Sequence, residues 1–325
     1  MTLFRSIAVS FLMLAAAGCR DASTAPTAAA GCRDAATSPT IDGDLAMRYA
    51  QANYDLGPRI FRTEGAKRSA EWIKAEAEKI PGLAETKGTV RLTGSEQSPD
   101  FHIRNVEIAF PGKSDDFIVV GAHHDTKLLS GVPDFAGAND GASGVGALLA
   151  MAAATAEYAR KSPLPCGIRF VFFDGEEALV RYTDRDGLTG SRDYVNMLRT
   201  GGELKRCRAM VLLDMIGDKD LHIELAGNST RPLADLVLKS AKELGHEDKF
   251  SAGETPMIDD HWPFLEAGVP AVDLIDFSFG PDNRYWHTAE DTMDKISAES
   301  IKTAADTALR TVWLLAGNDF KDLAE

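Results

Sequence analysis

The stretch Ile-Arg-Phe-Val-Phe-Phe-Asp-Gly-Glu-Glu at residues 168–177 decides the fold. Its first six residues are apolar except for Arg169, are rich in aromatic and β-branched side chains, and begin directly after a glycine, which predicts a buried strand. Three carboxylates follow at once, on Asp174, Glu176 and Glu177. Carboxylates crowded where a buried strand ends repel one another unless a positive group lies between them. A metal ion at this end of the strand would meet that requirement.

Strands and helices alternate along the chain from residue 117 onward. We predict strands over residues 117–122, 168–173, 209–213 and 269–275, and helices over residues 141–159, 191–199, 232–244 and 298–315. Helices over residues 44–55 and 64–79 and strands over residues 86–92 and 102–110 precede them. This order predicts an α/β fold in three αβα layers, with a mostly parallel, mixed central sheet. Ligands of such sheets bind beyond the carboxyl ends of the strands, so we expect the site there.

The overall composition restricts the partners of the protein. The chain has 325 residues, of which 44% are hydrophobic, and a formal net charge of -14. Nucleic acids and anionic membrane surfaces bind basic patches, so we expect neither as a partner. No segment between residues 42 and 325 has the composition of a linker, which predicts a single catalytic domain over that range.

The N-terminal residues predict export. Residues 1–18 combine one arginine with an apolar stretch too short to span a bilayer, which is typical of a signal peptide. The sequence Ala16-Ala17-Gly18-Cys19 resembles the lipobox of bacterial lipoproteins, so we expect a lipid anchor on Cys19, with simple secretion as the alternative. The protein would then lie in the bacterial cell envelope or periplasm and touch the membrane only through this anchor.

A tandem repeat follows the predicted signal peptide. Residues 15–27 recur almost unchanged as residues 28–40, and the repeat explains Cys32 without any function. Alanine, serine, threonine and proline dominate this segment and cannot bury a core. We therefore predict a disordered tether over residues 19–41.

Two cysteines of the catalytic domain stand at equivalent positions before two predicted strands. Cys166 lies two residues before Ile168, and Cys207 lies two residues before Ala209. Export permits disulfides. If the two parallel strands are neighbours, the cysteines meet at one edge of the sheet, which predicts a Cys166–Cys207 disulfide. Two buried thiols are the alternative.

Side chains able to bind a metal recur at the ends of the predicted strands or in the loops just after them: His123, Asp140, Glu176, Glu177, Asp214 and His287. A single aspartate at a strand end more often caps a helix, and a single histidine is usually an ordinary polar contact. Several acids that converge at one edge without compensation would be costly, however. Imidazole and carboxylate ligands in this ratio suit zinc.

From Gly57 to Leu314 the sequence resembles the M28 zinc peptidases and their relatives, the animal-type glutaminyl-peptide cyclotransferases. The motifs that carry the resemblance are GAHHD at 121–125, GANDGASGVG at 137–146, FFDGEEA at 172–178, LLDMIG at 212–217, DDHWPFLEAGVP at 259–270 and WHTAEDT at 286–292. The resemblance implies that Asp140, Glu177 and His287 bind zinc in both branches. It also implies that Glu176 acts as the acid and base.

The two branches differ in the role that they imply for His123 and Asp214. In the peptidases, these two residues complete a second zinc site, and Asp140 bridges the two ions. The cyclases typically hold one zinc ion, and Asp214 joins Glu176 and Asp259 in a network of hydrogen-bonded carboxylates. One ion would therefore indicate a cyclase, and two ions an aminopeptidase.

Three features favour the cyclase branch: the motif FFDGEEA, the paired acids Asp259 and Asp260 before His261, and Trp286 directly before His287. Two residues depart from it. Tyr182 stands where many cyclases have a tryptophan. Asp273 stands where animal cyclases have a histidine, and an aspartate at this position resembles the bacterial members of the group.

The resemblance implies a zinc-dependent glutaminyl-peptide cyclotransferase. Such an enzyme converts the N-terminal glutamine of peptides or proteins to pyroglutamate and releases ammonia. Glu176 would take a proton from the α-amine and donate one to the leaving ammonia, while Trp286 and Tyr182 would wall the glutamine pocket. The alternative is a zinc aminopeptidase that hydrolyses N-terminal residues. A non-catalytic ectodomain that uses this fold for binding is a third interpretation.

The remaining polar residues of the motifs have supporting roles in this interpretation. Asp125, two residues from His123, would orient that imidazole. His124 would point away from the site if the strand geometry continues. His261 would open a short helix, and Phe279 and Tyr285 are equally consistent with a pocket lip and with ordinary packing.

Overall fold

The computed structural model describes residues 38–98, 101–318 and 320–323. The predicted signal peptide, the lipid anchor on Cys19 and most of the predicted tether lie outside the described residues. Within those ranges, no helix is both long and apolar enough to cross a bilayer.

Strands of the described residues form an eight-stranded sheet and a two-stranded sheet. The strands are β1 (Thr89–Thr93), β2 (Glu96–Ser98), β3 (Phe101–His102), β4 (Asn105–Phe110), β5 (Phe117–His123), β6 (Gly167–Phe173), β7 (Cys207–Asp214), β8 (Ile223–Leu225), β9 (Phe250–Ala252) and β10 (Ala271–Ile275). The large sheet has the order β1-β4-β6-β5-β7-β10-β8-β9, and β2 pairs with β3.

The centre of the large sheet is parallel and its edges are mixed. β6, β5, β7 and β10 run parallel to one another. β4 is antiparallel to β6 on one side, and β8 is antiparallel to β10 on the other. The predicted three-layer α/β fold with a mostly parallel, mixed sheet is confirmed.

Seven α-helices of the described residues cover the two faces of the sheet: α1 (Gly43–Tyr54), α2 (Glu64–Ala77), α3 (Gly144–Lys161), α4 (Thr189–Thr200), α5 (Arg231–Leu244), α6 (Trp262–Glu266) and α7 (Ala298–Gly317). A π-helical turn, Ala138–Ser143, precedes α3, and short 3₁₀ turns lie at Leu204–Arg206, Glu247–Lys249, Pro281–Asn283, Met293–Lys295 and Lys321–Leu323. The first turns of α1, α2 and α7 are capped by the side chains of Asp42, Thr63 and Ser297. Each cap satisfies a backbone N–H that has no partner within its helix.

Alternating residues of the parallel strands face two hydrophobic cores. Along β5, Ile118 and Val120 belong to the larger core, to which α1, α2, α3, α5 and α7 contribute. Val119, between them, belongs to the smaller core with residues of α4 and α6. Because helices cover both faces, these strands are apolar throughout, and this is the pattern that makes them recognisable in the sequence.

The predicted Cys166–Cys207 disulfide is wrong, because the strands that follow the two cysteines are not neighbours. β5 lies between β6 and β7, and its residue Phe117 pairs with Gly167 on one side and Cys207 on the other. Two strand spacings amount to about 10 Å, which is beyond the reach of a disulfide. Both thiols are free and buried, and burial raises the pKa of each to about 12.

Most predicted elements agree with the structure to within two residues at each end, and three differ by more. The helix predicted from residue 141 begins at Gly144, because Asp140 (ψ 90°) and Gly141 (φ 101°) are not helical. The strand predicted from residue 86 begins at Thr89, since Lys87 has a φ of 59°, which an extended strand does not allow. The strand predicted over residues 102–110 is divided between β3 and β4.

Candidate active site

The carboxyl ends of the parallel strands bring the predicted site residues together. β5 ends at His123 and β7 ends at Asp214, while Glu176 and Glu177 follow β6 after a short turn. His287 lies on the loop after β10. The carboxyl ends of adjacent parallel strands lie at the same edge of the sheet, so these side chains lie close together although they are distant in sequence.

Asp140 reaches this place from the π-helical turn before α3. The buried carboxylate of Asp291 accepts the backbone N–H groups of Asn139, at 2.7 Å, and of Asp140, at 3.1 Å. Gly141 has a φ of 101°, and a Cβ there would lie 3.3 Å from the His123 ring. The turn therefore depends on a glycine at 141 and on two hydrogen bonds from a distant loop.

The ligand atoms form two sets that share Asp140. His123 Nε2 lies 3.2 Å from Asp140 Oδ1 and 3.2 Å from Asp214 Oδ1. His287 Nε2 lies 3.1 Å from Asp140 Oδ2 and 2.9 Å from Glu177 Oε1. Each set offers three ligand atoms within 4.8 Å of one another. One carboxylate thus presents one oxygen to each of two candidate metal positions.

Charges of opposite sign alternate through these two sets. Burial lowers the pKa of His123, but its contacts with Asp125, Asp140 and Asp214 outweigh burial and raise that pKa well above its ordinary value. Burial acts to lower the pKa of His287 as well. Its hydrogen bonds to Asp140 and Glu177 outweigh burial and raise that pKa to about 9. Burial acts to raise the pKa of Asp140, yet the two histidines hold it below its ordinary value.

Glu176 faces the same cavity but belongs to neither set of ligands. The Tyr182 hydroxyl lies 3.0 Å from Glu176 Oε1 and 3.4 Å from Glu177 Oε2. Burial, followed by the charge of Glu177, raises the pKa of Glu176 well above its ordinary value. The prediction assigns Glu177 to the metal and Glu176 to proton transfer, and the geometry is compatible with it. Glu177 contacts His287, whereas in the described residues Glu176 makes no hydrogen bond to His287.

Lys127 is a site residue that sequence reasoning missed. Its Nζ donates to Glu177 Oε2 at 2.9 Å and lies 5.2 Å from the centre of the Tyr182 ring. The signal that could have found it is its position in the segment that continues β5 beyond GAHHD.

Three more acids lie behind Glu176 and Asp214: Asp259, Asp260 and Asp273, all buried. Burial raises the pKa of each of them, that of Asp260 to about 7. His261 is buried beside them, its Nδ1 3.7 Å from Asp273 Oδ2, and burial lowers its pKa to about 4. His261 also precedes α6, as predicted. In the described residues, no hydrogen bond joins the carboxylate of Asp260 or of Asp273 to Glu176 or Asp214.

Asp125 and His124 flank the end of β5. Asp125 Oδ1 lies 3.7 Å from His123 Nδ1, and its carboxylate accepts the backbone N–H groups of Glu176, at 3.1 Å, and Glu177, at 3.2 Å. It therefore positions the turn after β6 more directly than it orients His123. His124 points away from the site, with its Nε2 3.0 Å from the carbonyl oxygen of Arg104, and burial lowers its pKa to about 4.

Arg59, which the sequence analysis did not single out, lies completely buried beneath the site. Its guanidinium donates to the carbonyl oxygens of Ala136, at 2.7 Å, and His124, at 2.9 Å. It thereby connects the segment after His123 to the loop that leads to Asp140. Burial lowers its pKa to about 10, so it stays cationic at neutral pH.

A cavity of about 150 Å³ opens onto the two ligand sets. Its lining residues are Asp140, Glu176, Glu177, Tyr182, Asp214, Met257, Ile258, Asp259, Ile275, Phe277, Trp286 and His287. Trp286 stacks on the His287 ring, with 4.1 Å between centroids, and Phe277 packs against Trp286 at 4.8 Å. The sequence analysis predicted Trp286 and Tyr182 in this wall but missed Phe277.

Phe279 and Tyr285 belong to ordinary packing rather than to the lip of the cavity. Phe279 is completely buried, and the Tyr285 ring packs on it with 5.4 Å between centroids. Neither residue lines the cavity.

Residues 105–312 match the sequence model of peptidase family M28. The chain belongs to peptidase family M28. The motifs that resemble this family supply the site described above, so the predicted resemblance is confirmed. Several solved structures match the fold of this chain over most of its length.

Similar proteins have names that point to two different activities. The glutaminyl-peptide cyclotransferase of Boiga irregularis is 30% identical over 215 residues, which cover 57% of this chain and 58% of that protein. The crystal structure of a glutaminyl cyclase from an Acidobacteriales bacterium has a TM-score of 0.74 and 33% identity, and covers 91% of this chain and 100% of that one. The crystal structure of a leucine aminopeptidase precursor from Bacteroides thetaiotaomicron has a TM-score of 0.69 and 26% identity. The match covers 85% of this chain and 98% of that one.

Proposed function

We propose that this M28 protein is a zinc-dependent glutaminyl-peptide cyclotransferase, which acts on the N-terminal glutamine of peptides or proteins. The observation that carries the proposal is the position of Glu176. It is a buried carboxylate that faces a small aromatic-walled cavity beside the ligand sets without being part of them. The similarity to glutaminyl cyclases from a snake and from a bacterium supports the same reaction.

The residues present fit zinc. Two ligands of a tetrahedral zinc ion at its usual bond lengths lie roughly 3.3 Å apart, and the ligand atoms of His287, Asp140 and Glu177 are separated by 2.9 and 3.1 Å. These three residues would hold the ion. Zinc bound there would polarise the γ-carbonyl group of the substrate glutamine.

Glu176 would move the protons of the reaction. Its carboxylate takes a proton from the α-amine, whose nitrogen forms a bond with the γ-carbonyl carbon. The carbon–nitrogen bond of the side-chain amide then breaks, and Glu176 returns a proton to the leaving group, which departs as ammonia. One carboxyl can serve both steps because burial and neighbouring acids raise its pKa above the ordinary value, so that it can both accept and return a proton.

The cavity would bind the glutamine side chain. Trp286 and Phe277 form one apolar wall, and the ring of Tyr182 contributes to another. Aromatic walls exclude water from the reacting atoms, and this favours attack by the substrate's own amine over hydrolysis.

A zinc aminopeptidase is the second candidate, and one observation favours it. Asp140 directs Oδ1 to His123 and Oδ2 to His287, as a carboxylate that bridges two ions would. With His123 and Asp214 as ligands of a second zinc ion, Glu176 would activate a water molecule for hydrolysis.

Two peptides distinguish these functions. Purified protein with saturating zinc is incubated with a peptide that begins with glutamine and a peptide that begins with leucine. The masses of the products are measured by mass spectrometry. Loss of ammonia from the first with the second intact supports the cyclase, especially with about one zinc per chain after dialysis. A shortened Leu peptide and two zinc ions would establish the aminopeptidase, and absence of both metal and turnover would leave the binding ectodomain.

We also propose that residues 1–18 are a lipoprotein signal peptide, that residues 19–41 are a tether and that residues 42–325 are one catalytic domain. The apolar N-terminal stretch and the lipobox-like sequence before Cys19 support this. The mass of the N-terminal peptide from membranes of a bacterial host tests it. An unmodified N-terminus after cleavage would indicate simple secretion.

A further inference from the structure

The ring of Tyr182 is held over the site by a loop with its own hydrogen bonds. Asp186 accepts the consecutive backbone N–H groups of Leu179, Val180 and Arg181 at 2.7, 2.9 and 3.1 Å. The carbonyl oxygen of Glu176 accepts the N–H of Leu188 at 2.9 Å and ties the loop to the strand end. Three amides on one carboxylate leave the segment before Tyr182 little freedom.

A glycine makes room for this ring. Gly187 has a φ of 82°, and a Cβ there would lie 2.4 Å from Cδ1 of Tyr182. The ring therefore packs directly on the loop backbone, although 38% of the residue is exposed to solvent. The packing aims the hydroxyl inward at the two glutamates, away from that solvent.

The hydroxyl contacts one oxygen of the acid/base residue. It lies 3.0 Å from Glu176 Oε1, and in the described part of the chain no other side chain hydrogen-bonds this carboxylate. Oε2 is thus left free to exchange a proton with a substrate in the cavity. A hydrophobic wall would need only the ring, whereas the hydroxyl fixes the rotation of the carboxylate.

We propose that Tyr182 is a positioning residue for catalysis, whose hydroxyl donates to Glu176 Oε1 and holds Oε2 toward the substrate. This inference rests on the proposed role of Glu176 as the acid and base, in either reaction. Lys127 supports the arrangement, because its ammonium group lies against both the Tyr182 ring and the Glu177 carboxylate.

The test compares Tyr182→Phe with wild-type protein loaded with zinc. We expect kcat to fall by about tenfold or more, the usual effect of losing a hydrogen bond to a charged group, while KM changes by less than about twofold because the ring remains. Tyr49→Phe is the matched control, since it removes a hydroxyl from a ring that packs on Trp72 on α2. An unchanged kcat in Tyr182→Phe, or a rise in KM alone, would overturn the proposal.

A double-mutant cycle separates positioning from a general loss of structure. Asp186→Ala loosens the loop and should lower kcat in the wild-type background but not in the Tyr182→Phe background. Equal losses in both backgrounds would contradict an action through the hydroxyl. If wild-type protein shortens the Leu peptide instead of cyclising glutamine, the proposed function fails, and the same ratios measured with that peptide still decide the role of Tyr182.

Discussion

The carboxylate of Asp291 accepts the backbone N–H of Asp140 at 3.1 Å, and so joins the loop of one candidate zinc ligand to the segment that carries another. Asp291 lies in the same motif as His287, WHTAEDT, and is 2% exposed. It also accepts the N–H of Asn139 at 2.7 Å. The two loops therefore cannot shift independently without leaving buried amides unpaired.

Asp291→Ala should weaken zinc binding without unfolding the protein. The substitution leaves two buried N–H groups without an acceptor, and residues that support metal ligands typically affect affinity by about 10- to 100-fold. Competition with a chelator of known affinity measures the change. Asp294→Ala, on an exposed turn nearby, is the control and should bind zinc as the wild type does. Equal affinity in the Asp291 and Asp294 variants would disprove the prediction.

Glu176→Gln should abolish turnover and leave zinc in place. Glutamine keeps the size and a hydrogen-bonding group for Tyr182 but cannot exchange protons, so we expect a loss of roughly 10²- to 10⁴-fold in kcat. Metal content of the dialysed variant is measured in parallel. Glu177→Gln is the matched variant and should lose zinc, because Glu177 contacts His287. Zinc lost from the Glu176 variant would mean that the two roles are exchanged.

His287→Ala and His123→Ala should differ in zinc content if the protein is a cyclase. His287 contacts Asp140 and Glu177, so its loss should remove the ion in either function. His123 contacts Asp140 and Asp214, the set needed only for a second ion. We expect about one equivalent in His123→Ala and in the control His102→Ala. A drop from two equivalents to one in His123→Ala would support the aminopeptidase.

Asp174→Asn should stabilise the protein at neutral pH. Burial and the charge of Asp125 raise the pKa of Asp174 from 3.8 to about 7. The folded state therefore keeps a proton that the unfolded state loses, so the wild-type free energy of unfolding decreases as pH rises from 3.8 to 7. One pKa unit corresponds to about 1.4 kcal/mol, which gives a gain for the variant of up to about 4 kcal/mol above pH 7.

Urea unfolding at pH 4 and pH 8, with zinc present in both proteins, checks the sign. The two proteins should agree at pH 4 and diverge at pH 8, and the exposed control Asp115→Asn should follow the wild type throughout. A variant that is less stable than the wild type at pH 8 would show that the charged form of Asp174 is favoured in the fold.

Local sequence patterns were sufficient for the four parallel strands at the centre of the sheet and for most of the candidate ligands, but not for the short strands β2, β8 and β9. Ile168 to Phe173 is buried on both faces, so its apolar run is unbroken except at Arg169 and identifies a strand. His123 and Asp214 end such strands, and the edge rule for parallel sheets then places them together. Their convergence needs no knowledge of strand order, since all carboxyl ends of the parallel strands lie at one edge.

Contacts that depend on strand order or on loop paths could not be predicted in this way. Cys166 and Cys207 stand at equivalent points before two strands, but β5 separates them, and no local pattern records which strand lies between. Arg59 and Asp291 were missed because their contacts depend on the paths of loops. Their partners are distant in sequence and are often backbone groups, which every residue has.

The sequence by itself determined the α/β architecture, the family and the residue types able to hold zinc, because these follow from periodicity and from motifs within single segments. The tertiary structure alone decided that Asp140 offers one oxygen to each histidine and that the Tyr182 hydroxyl meets Glu176. Such relationships are set by packing between loops. That packing is the sum of many distant contacts, and no single segment of the chain encodes it.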